Sequence, residues 1–155
     1  RVIRALEFYH LSGKRISEHN EKEREKTSPY HFAYFVLTDE RPHLYANIDK
    51  RVDLMIEQGL VDEVQKLKNM GFHRDMVSMQ GLGYKEILDY LDGKTTLEEA
   101  IYIIKRETRH FAKRQLTWFR RERDVIWLDK QAYDYQDAKI LDSMINILKE
   151  KTIIN

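Results

Sequence analysis

The side chains with the most chemistry to offer are basic, and they are unevenly placed. Positions 105–123 hold eight Lys or Arg against two Glu, a local net of +6, while the whole chain carries only +1. On a helix, Arg106, Arg109, His110, Lys113, Thr117 and Arg120 fall within roughly 100° of arc. A ridge of one sign suits a phosphate backbone: Arg and Lys bring charge, and Thr117 brings a neutral hydrogen bond. A solvated face or a docking face for an acidic protein is the alternative, although solvated faces usually mix signs.

A second candidate is Gly81-Leu82-Gly83-Tyr84-Lys85, which leads into a helix. Free N–H groups at a helix start attract anions, and glycine lets a phosphate come close. Lys85 would add charge, Gln80 a polar edge and Tyr84 a stacking surface. No third glycine or preceding strand accompanies the pair, so it is not a dinucleotide fingerprint, and a plain loop-to-helix turn is the simpler reading. Arg1 and Arg4, three apart on a helix face, could grip neighbouring phosphates or simply be solvated. Arg41 and Arg51 lie among apolar neighbours, where an arginine usually meets a carboxylate or an anionic ligand. His31, His43, His73 and His110 show no metal-ligand spacing, and no Ser/His/Asp set suggests itself. The absence of cysteine excludes disulfides, thiolate catalysis and zinc–thiolate sites.

These groups need elements to position them. Residues 1–11 read as a helix with Val2, Ala5, Leu6 and Tyr9 on one side, closed by Gly13. Residues 15–28 are polar, either a surface helix or a linker, and mark the domain boundary. Residues 31–38 and 125–128 are apolar, aromatic and β-branched, as strands are. Pro42 opens a helix carrying Leu44, Tyr45, Ile48, Val52 and Met55. Gly59 ends it, and a second helix follows with Leu60, Val64 and Leu67. Residues 72–80 read as a loop, and 84–91 as a helix stopped by Gly93. Thr96 and Glu99 form a capping box for the longest helix, 97–122. Its core stripe is expected to be Leu97, Ile101, Ile104, Thr108, Phe111, Gln115 and Trp118, opposite the basic ridge. A last helix spans 137–150.

Charged residues make up 34% and hydrophobic ones 42%, with mean hydropathy −0.65, which fits solvent-facing helices with one apolar stripe each. No apolar run reaches the ~18–20 residues of a membrane span, and no signal-peptide pattern is visible, so a soluble cytoplasmic protein with no membrane partner is expected. The chain enters a helical pattern at Arg1, and further sequence is expected upstream.

Five stretches together resemble the tRNA dimethylallyltransferases (tRNA isopentenyltransferases): RVIRALEFYHLSGK (1–14), R-x-x-L-Y-x-x-I-x-x-R-V-D-x-M (41–55), GLVDEVQKL (59–67), MQGLGYKEI (79–87) and TRHFAKRQLTWFRR (108–121). They keep the family's order across most of the chain, and the last two are the most specific. The resemblance implies transfer of a dimethylallyl group from dimethylallyl diphosphate to N6 of the adenine 3′-adjacent to the tRNA anticodon. It implies a mainly α fragment of an α/β P-loop kinase-like core, with residues 1–28 ending a helical insertion domain and 29–155 returning to the core. Partners would be the tRNA anticodon stem-loop and dimethylallyl diphosphate, acting on a monomer. Mg²⁺ would be held mainly by residues outside this stretch.

Carried over position by position, Arg1 and Arg4, then Gln80, Gly81, Leu82, Gly83, Tyr84 and Lys85, match tRNA-contacting positions. So do Lys113, Arg114, Gln115, Thr117 and Arg120, and the ridge residues Arg106 and Arg109 are taken with them. Arg51 matches an arginine facing the substrate diphosphate, with Arg41 as its companion. Asn47-Ile48-Asp49 stands where the family often has Arg-Ile-Asn, so no charge is available at position 47. The family's G-x-T-x-x-G-K-[ST] loop and general-base Asp have no counterpart in these residues, so no catalytic residue and no activity are expected of this stretch alone. A non-catalytic helical RNA-binding module, a scaffold for an acidic partner, and an adenylate isopentenyltransferase are the competing readings.

Overall fold

A computed structural model describes residues 2–26 and 28–154. The chain forms two compact units, Arg1–Phe32 and Ala33–Asn155.

The first unit is a helical hairpin of α1 (Val2–Ser12) and α2 (Ile16–Glu25). Gly13 ends α1 at φ +67°, a left-handed conformation that glycine adopts without strain, and its N–H donates to Tyr9 O at 2.8 Å. Phe8 packs on His19 with ring centroids 5.0 Å apart. The apolar side expected of α1 is largely uncovered here: Val2, Leu6 and Tyr9 are exposed, and Ala5 alone is half-buried. A two-helix hairpin has too few neighbours to cover it. The polar stretch after Gly13 is helical over α2.

The second unit runs β1 (Tyr34–Thr38), α3 (Arg41–Glu57), α4 (Leu60–Asn69), α5 (Tyr84–Leu91), α6 (Leu97–Phe119), β2 (Val125–Asp129) and α7 (Asp137–Glu150). Pro42 lies in the first turn of α3, where its missing N–H costs nothing. Gly59, at φ +97°, turns the chain directly from α3 into α4. Val52, Leu60, Val64, Ile87, Leu88, Ala100 and Ile104 are buried together where α3, α4, α5 and α6 meet. Met79, 1% exposed, joins them from a 3₁₀ turn, Val77–Gln80, inside the segment expected to be a plain loop.

The strands pair in parallel, from Tyr34 opposite Val125 to Thr38 opposite Asp129. Side chains alternate between faces, so Tyr34, Val36 and Trp127 share one side and Phe35, Leu37 and Leu128 the other. Both sides are apolar, as in sheets covered on both faces. Among the described residues no helix is long and apolar enough to cross a membrane.

Helix α6 departs from the expected stripe halfway along. Ala100 and Ile104 are buried, but Phe111 and Trp118 are 48% and 53% exposed, and Gln115 is exposed too. A seven-residue repeat slips about 20° per heptad against a 3.6-residue helix, so a stripe aimed at the core at Leu97 has rotated off it by Trp118. The covering partners also change. The first half packs on α3 and α5, whereas Phe119 meets Tyr34 of β1, ring centroids 6.2 Å apart. Ala112, Leu116 and Phe119 are the half-buried positions there. At the helix start Thr96 Oγ1 accepts from Glu99 N at 3.2 Å. The Glu99 carboxylate accepts from the Thr95 hydroxyl at 2.7 Å instead of reaching back to Thr96, so half of the expected box forms.

Candidate nucleic-acid interface

The basic ridge on α6 divides into two halves with different electrostatics. In the first, each cation has a carboxylate. Arg109 Nη1 donates to Asp49 Oδ1 and Oδ2 on α3 at 2.5 and 2.8 Å. Lys105 Nζ lies 2.6 Å from Asp53 Oδ1, one turn further along α3. Arg106 pairs with Glu107 at 2.9 Å and stands 5.9 Å over the Tyr102 ring. The Arg106 hydrogen bond holds the Glu107 carboxyl below its ordinary value, and His110, 3.6 Å away, adds to that.

The second half is different. Among the described residues, Lys113, Arg120 and Arg121 are exposed and have no carboxylate partner, and Arg114 stands 5.7 Å over the Phe111 ring with none either. Gln115 lies on the exposed side beside Phe111 and Trp118, so it is reachable where the expected stripe had turned it inward. Thr117 Oγ1 donates to Lys113 O at 2.9 Å; its proton is used within the helix, and the hydroxyl offers an acceptor rather than the donor expected of it.

The start of α5 is not an open anion cradle. The Gly83 N–H donates to Glu86 Oε2 at 2.8 Å, and Glu86 is 5% exposed. A carboxylate of the chain itself occupies the positive end of the helix, with Lys85 Nζ 3.3 Å from its other oxygen. Gly83 sits at φ +102°, so its glycine identity is required by the turn. Tyr84 donates its hydroxyl to Glu63 of α4; that bond first, and burial second, raise its pKa. Gln80, Gly81 and Leu82 remain exposed, and Lys85 is half-buried. Glu86 three residues after the glycine was the signal for this arrangement.

On α3, Arg41 and Arg51 are both exposed, and neither has a carboxylate partner among the described residues. Beside Arg41 lies a network that the sequence does not announce. Asp39 Oδ2 is 2.5 Å from His43 Nδ1, Tyr135 donates to Asp39 Oδ1 at 3.0 Å, and the Glu40 N–H adds a third bond at 2.8 Å. Burial pushes the Asp39 carboxyl up, but these bonds outweigh it and hold it below its ordinary value. The network sits just past the C-terminal end of β1, the edge where open α/β sheets bind ligands. Tyr135 is 96 positions from Asp39, too far for any local pattern to link them. In the helical hairpin, Arg4 is exposed; Arg1 lies outside the described residues. No group of three or more His, Asp or Glu gathers in a metal-binding arrangement among the described residues.

Comparison with known proteins places this architecture. The family model described as IPP transferase matches residues 1–122. The chain therefore belongs to the IPP transferase family. It is 60% identical over 154 residues to a tRNA dimethylallyltransferase of Lachnoclostridium phytofermentans, covering 99% of this chain and 49% of the relative. A second tRNA dimethylallyltransferase, from Acetivibrio thermocellus, is 49% identical over 93% of this chain and 46% of its own length. Among solved structures, the full-length tRNA isopentenylpyrophosphate transferase of Bacillus halodurans superposes with a TM-score of 0.71 at 45% identity, covering 87% of this chain and 45% of the other. The tRNA isopentenylpyrophosphate transferase of Staphylococcus epidermidis gives 0.76 at 35% identity, covering 97% and 48%. The chain thus spans about half the length of these relatives. Its mostly helical fold with two parallel strands is similar to that of the solved transferases.

Proposed function

We propose that these residues form the RNA-gripping half of a tRNA dimethylallyltransferase. The observation that carries it is the bare second half of α6, in a chain whose family members are named for that activity. Lys113, Arg114 and Arg120 supply phosphate contacts, with Gln115 and Thr117 as neutral partners beside them. Arg4 and the exposed edge Gln80–Leu82, flanked by Lys85, add further RNA contacts, and Arg1 is assigned with them by resemblance. Arg51, with Arg41, faces the diphosphate.

In the reaction the adenine N6 bonds to the allylic C1 as the C1–O bond to diphosphate breaks. The amine proton goes to a base, and the charge left on the diphosphate needs cations. Two free arginines on α3 answer that last need. The adenine must leave its stack to be reached, so a firm hold on the surrounding backbone is a requirement of the chemistry. No G-x-x-x-x-G-K-[ST] loop occurs in the 155 residues. We assign that loop, the base and the residues holding a divalent metal to the rest of a P-loop kinase-like core, whose β1 and β2 are part of one sheet; the metal when bound would neutralise diphosphate charge.

The test compares the full-length protein with this chain, using dimethylallyl diphosphate and an anticodon stem-loop. Transfer to the adenine is expected from the full-length protein alone, and salt-sensitive stem-loop binding from both. A full-length protein that binds the stem-loop but transfers nothing would leave the RNA-binding module as the better account.

A further inference from the structure

Two acidic residues one turn apart on α3 meet two basic residues one turn apart on α6. Asp49 takes Arg109 in a forked contact at 2.5 and 2.8 Å, and Asp53 takes Lys105 at 2.6 Å. We propose that these four are positioning residues: a two-rung clamp that sets the roll of α3 against α6, and so the aim of Arg51 relative to the RNA ridge. The proposal rests on the functional reading above.

The geometry supplies the argument. At 100° per residue, Arg51 lies about 160° around α3 from both Asp49 and Asp53. One flank of α3 is therefore tied to the RNA-side helix while the other presents the diphosphate arginine. The two helices also share an apolar cluster, with Val52 of α3 and Ala100 and Ile104 of α6 buried in it. Apolar burial is non-directional and tolerates a roll. A side chain ~6 Å from the axis travels ~2 Å for a roll of about 20°, and misplacement by ~1 Å can cost a hundredfold in rate. The forked Arg109 contact is directional, so it fixes what the apolar cluster leaves free. The four side chains are 23–52% exposed, so the rungs add little to stability and their loss should register mainly in substrate use. The clamp also accounts for a feature of the ridge: the two cations nearest α3 face carboxylates rather than solvent.

The test is a charge swap in the full-length enzyme. Arg109→Asp and Asp49→Arg should each raise KM for dimethylallyl diphosphate about fivefold or more. The double variant should return it to within about twofold. Each single swap also sets two like charges face to face, so thermal midpoints should fall by no more than a few degrees and recover in the double. Arg109→Gln should leave the slope of log RNA affinity against log salt unchanged. A slope reduced by about one unit would make Arg109 a phosphate contact and overturn the clamp. So would a folded double variant with no recovery of KM. If that double variant does not fold, the Asp53→Lys, Lys105→Asp pair must show the same rescue, and its failure to do so overturns the proposal. An unaltered enzyme that does not prenylate RNA would instead overturn the functional reading; the midpoints then test the clamp alone, and additive effects there would end it.

Discussion

Lys113 and Arg109 are the same kind of residue on the same ridge, and the structure gives them different surroundings. The charge asymmetry of α6 was legible from composition alone, because it needs only counting. Its division into a neutralised half and a bare half was not, since Asp49 lies 60 positions from Arg109 and no helical wheel carries that information. The division sharpens what substitution should do. Lys113→Ala with Arg120→Ala should weaken stem-loop binding and lower the salt slope by about two, read from affinities at several salt concentrations. An unchanged slope would remove the second half of α6 from the interface. Arg51 is the residue proposed for the other substrate. In the full-length enzyme, Arg51→Ala should raise KM for dimethylallyl diphosphate at least tenfold, by loss of about 1.4 kcal/mol or more of binding, while stem-loop affinity stays within about twofold. Normal kinetics in that substrate would strike Arg51 from the site.

At the scale of elements, helix positions were legible wherever period and punctuation agreed. Tyr84–Leu91 and Asp137–Glu150 fall where glycine stops and apolar spacing put them. The inward face of α6 was legible for two turns and then lost, because slippage against the helical repeat and a change of packing partner both act beyond the local window. The cap of α5 follows a similar logic. Glycine has no side chain to accept a hydrogen bond, so Glu86 alone answers the Gly83 N–H from a buried position. Glu86→Ala should destabilise the unit by about 1.5–3 kcal/mol, measured by urea unfolding, because a buried donor loses a charged acceptor. A smaller tie joins the end of α5 to α4. Hydrogen bonds from Lys68 and Lys94 hold the Asp92 carboxyl at about 2, below its ordinary 3.8. A carboxyl with a depressed folded-state pKa stabilises the protein above its unfolded value and loses that contribution as pH falls through the folded one. Asp92→Asn should therefore lower stability at neutral pH and flatten the loss of stability between pH ~4 and ~2. Acid unfolding curves of parallel shape for the two proteins would show that the tie contributes nothing.

At the scale of the whole molecule, the strand pair carries an unmet demand. Parallel sheets occur almost only with both faces covered and with several strands, and two strands alone are marginal in water. Here β1 and β2 make one ladder, with Leu37 51% and Trp127 39% exposed on opposite faces. The apolar, β-branched runs were legible in sequence as strands; their parallel pairing was not, because it joins residues some ninety positions apart through four helices. Phe111 and Trp118, exposed on α6, repeat the pattern of apolar surface without a cover. If this surface belongs to the larger core proposed above, adding the rest of the protein must change how the strands behave, while the helical cluster around Val64 and Ile87 should not need it. Hydrogen exchange tests this directly. Amides of β1 and β2 are expected to exchange at least tenfold faster in the 155-residue chain than in the full-length protein, since a sheet with further strands opens less often. Amides of α4 and α5 should change by less than about threefold, because their core is already closed. Equal protection of the strands in both proteins would mean that the two-stranded ladder is complete as it stands, and the larger-sheet reading would fall with it.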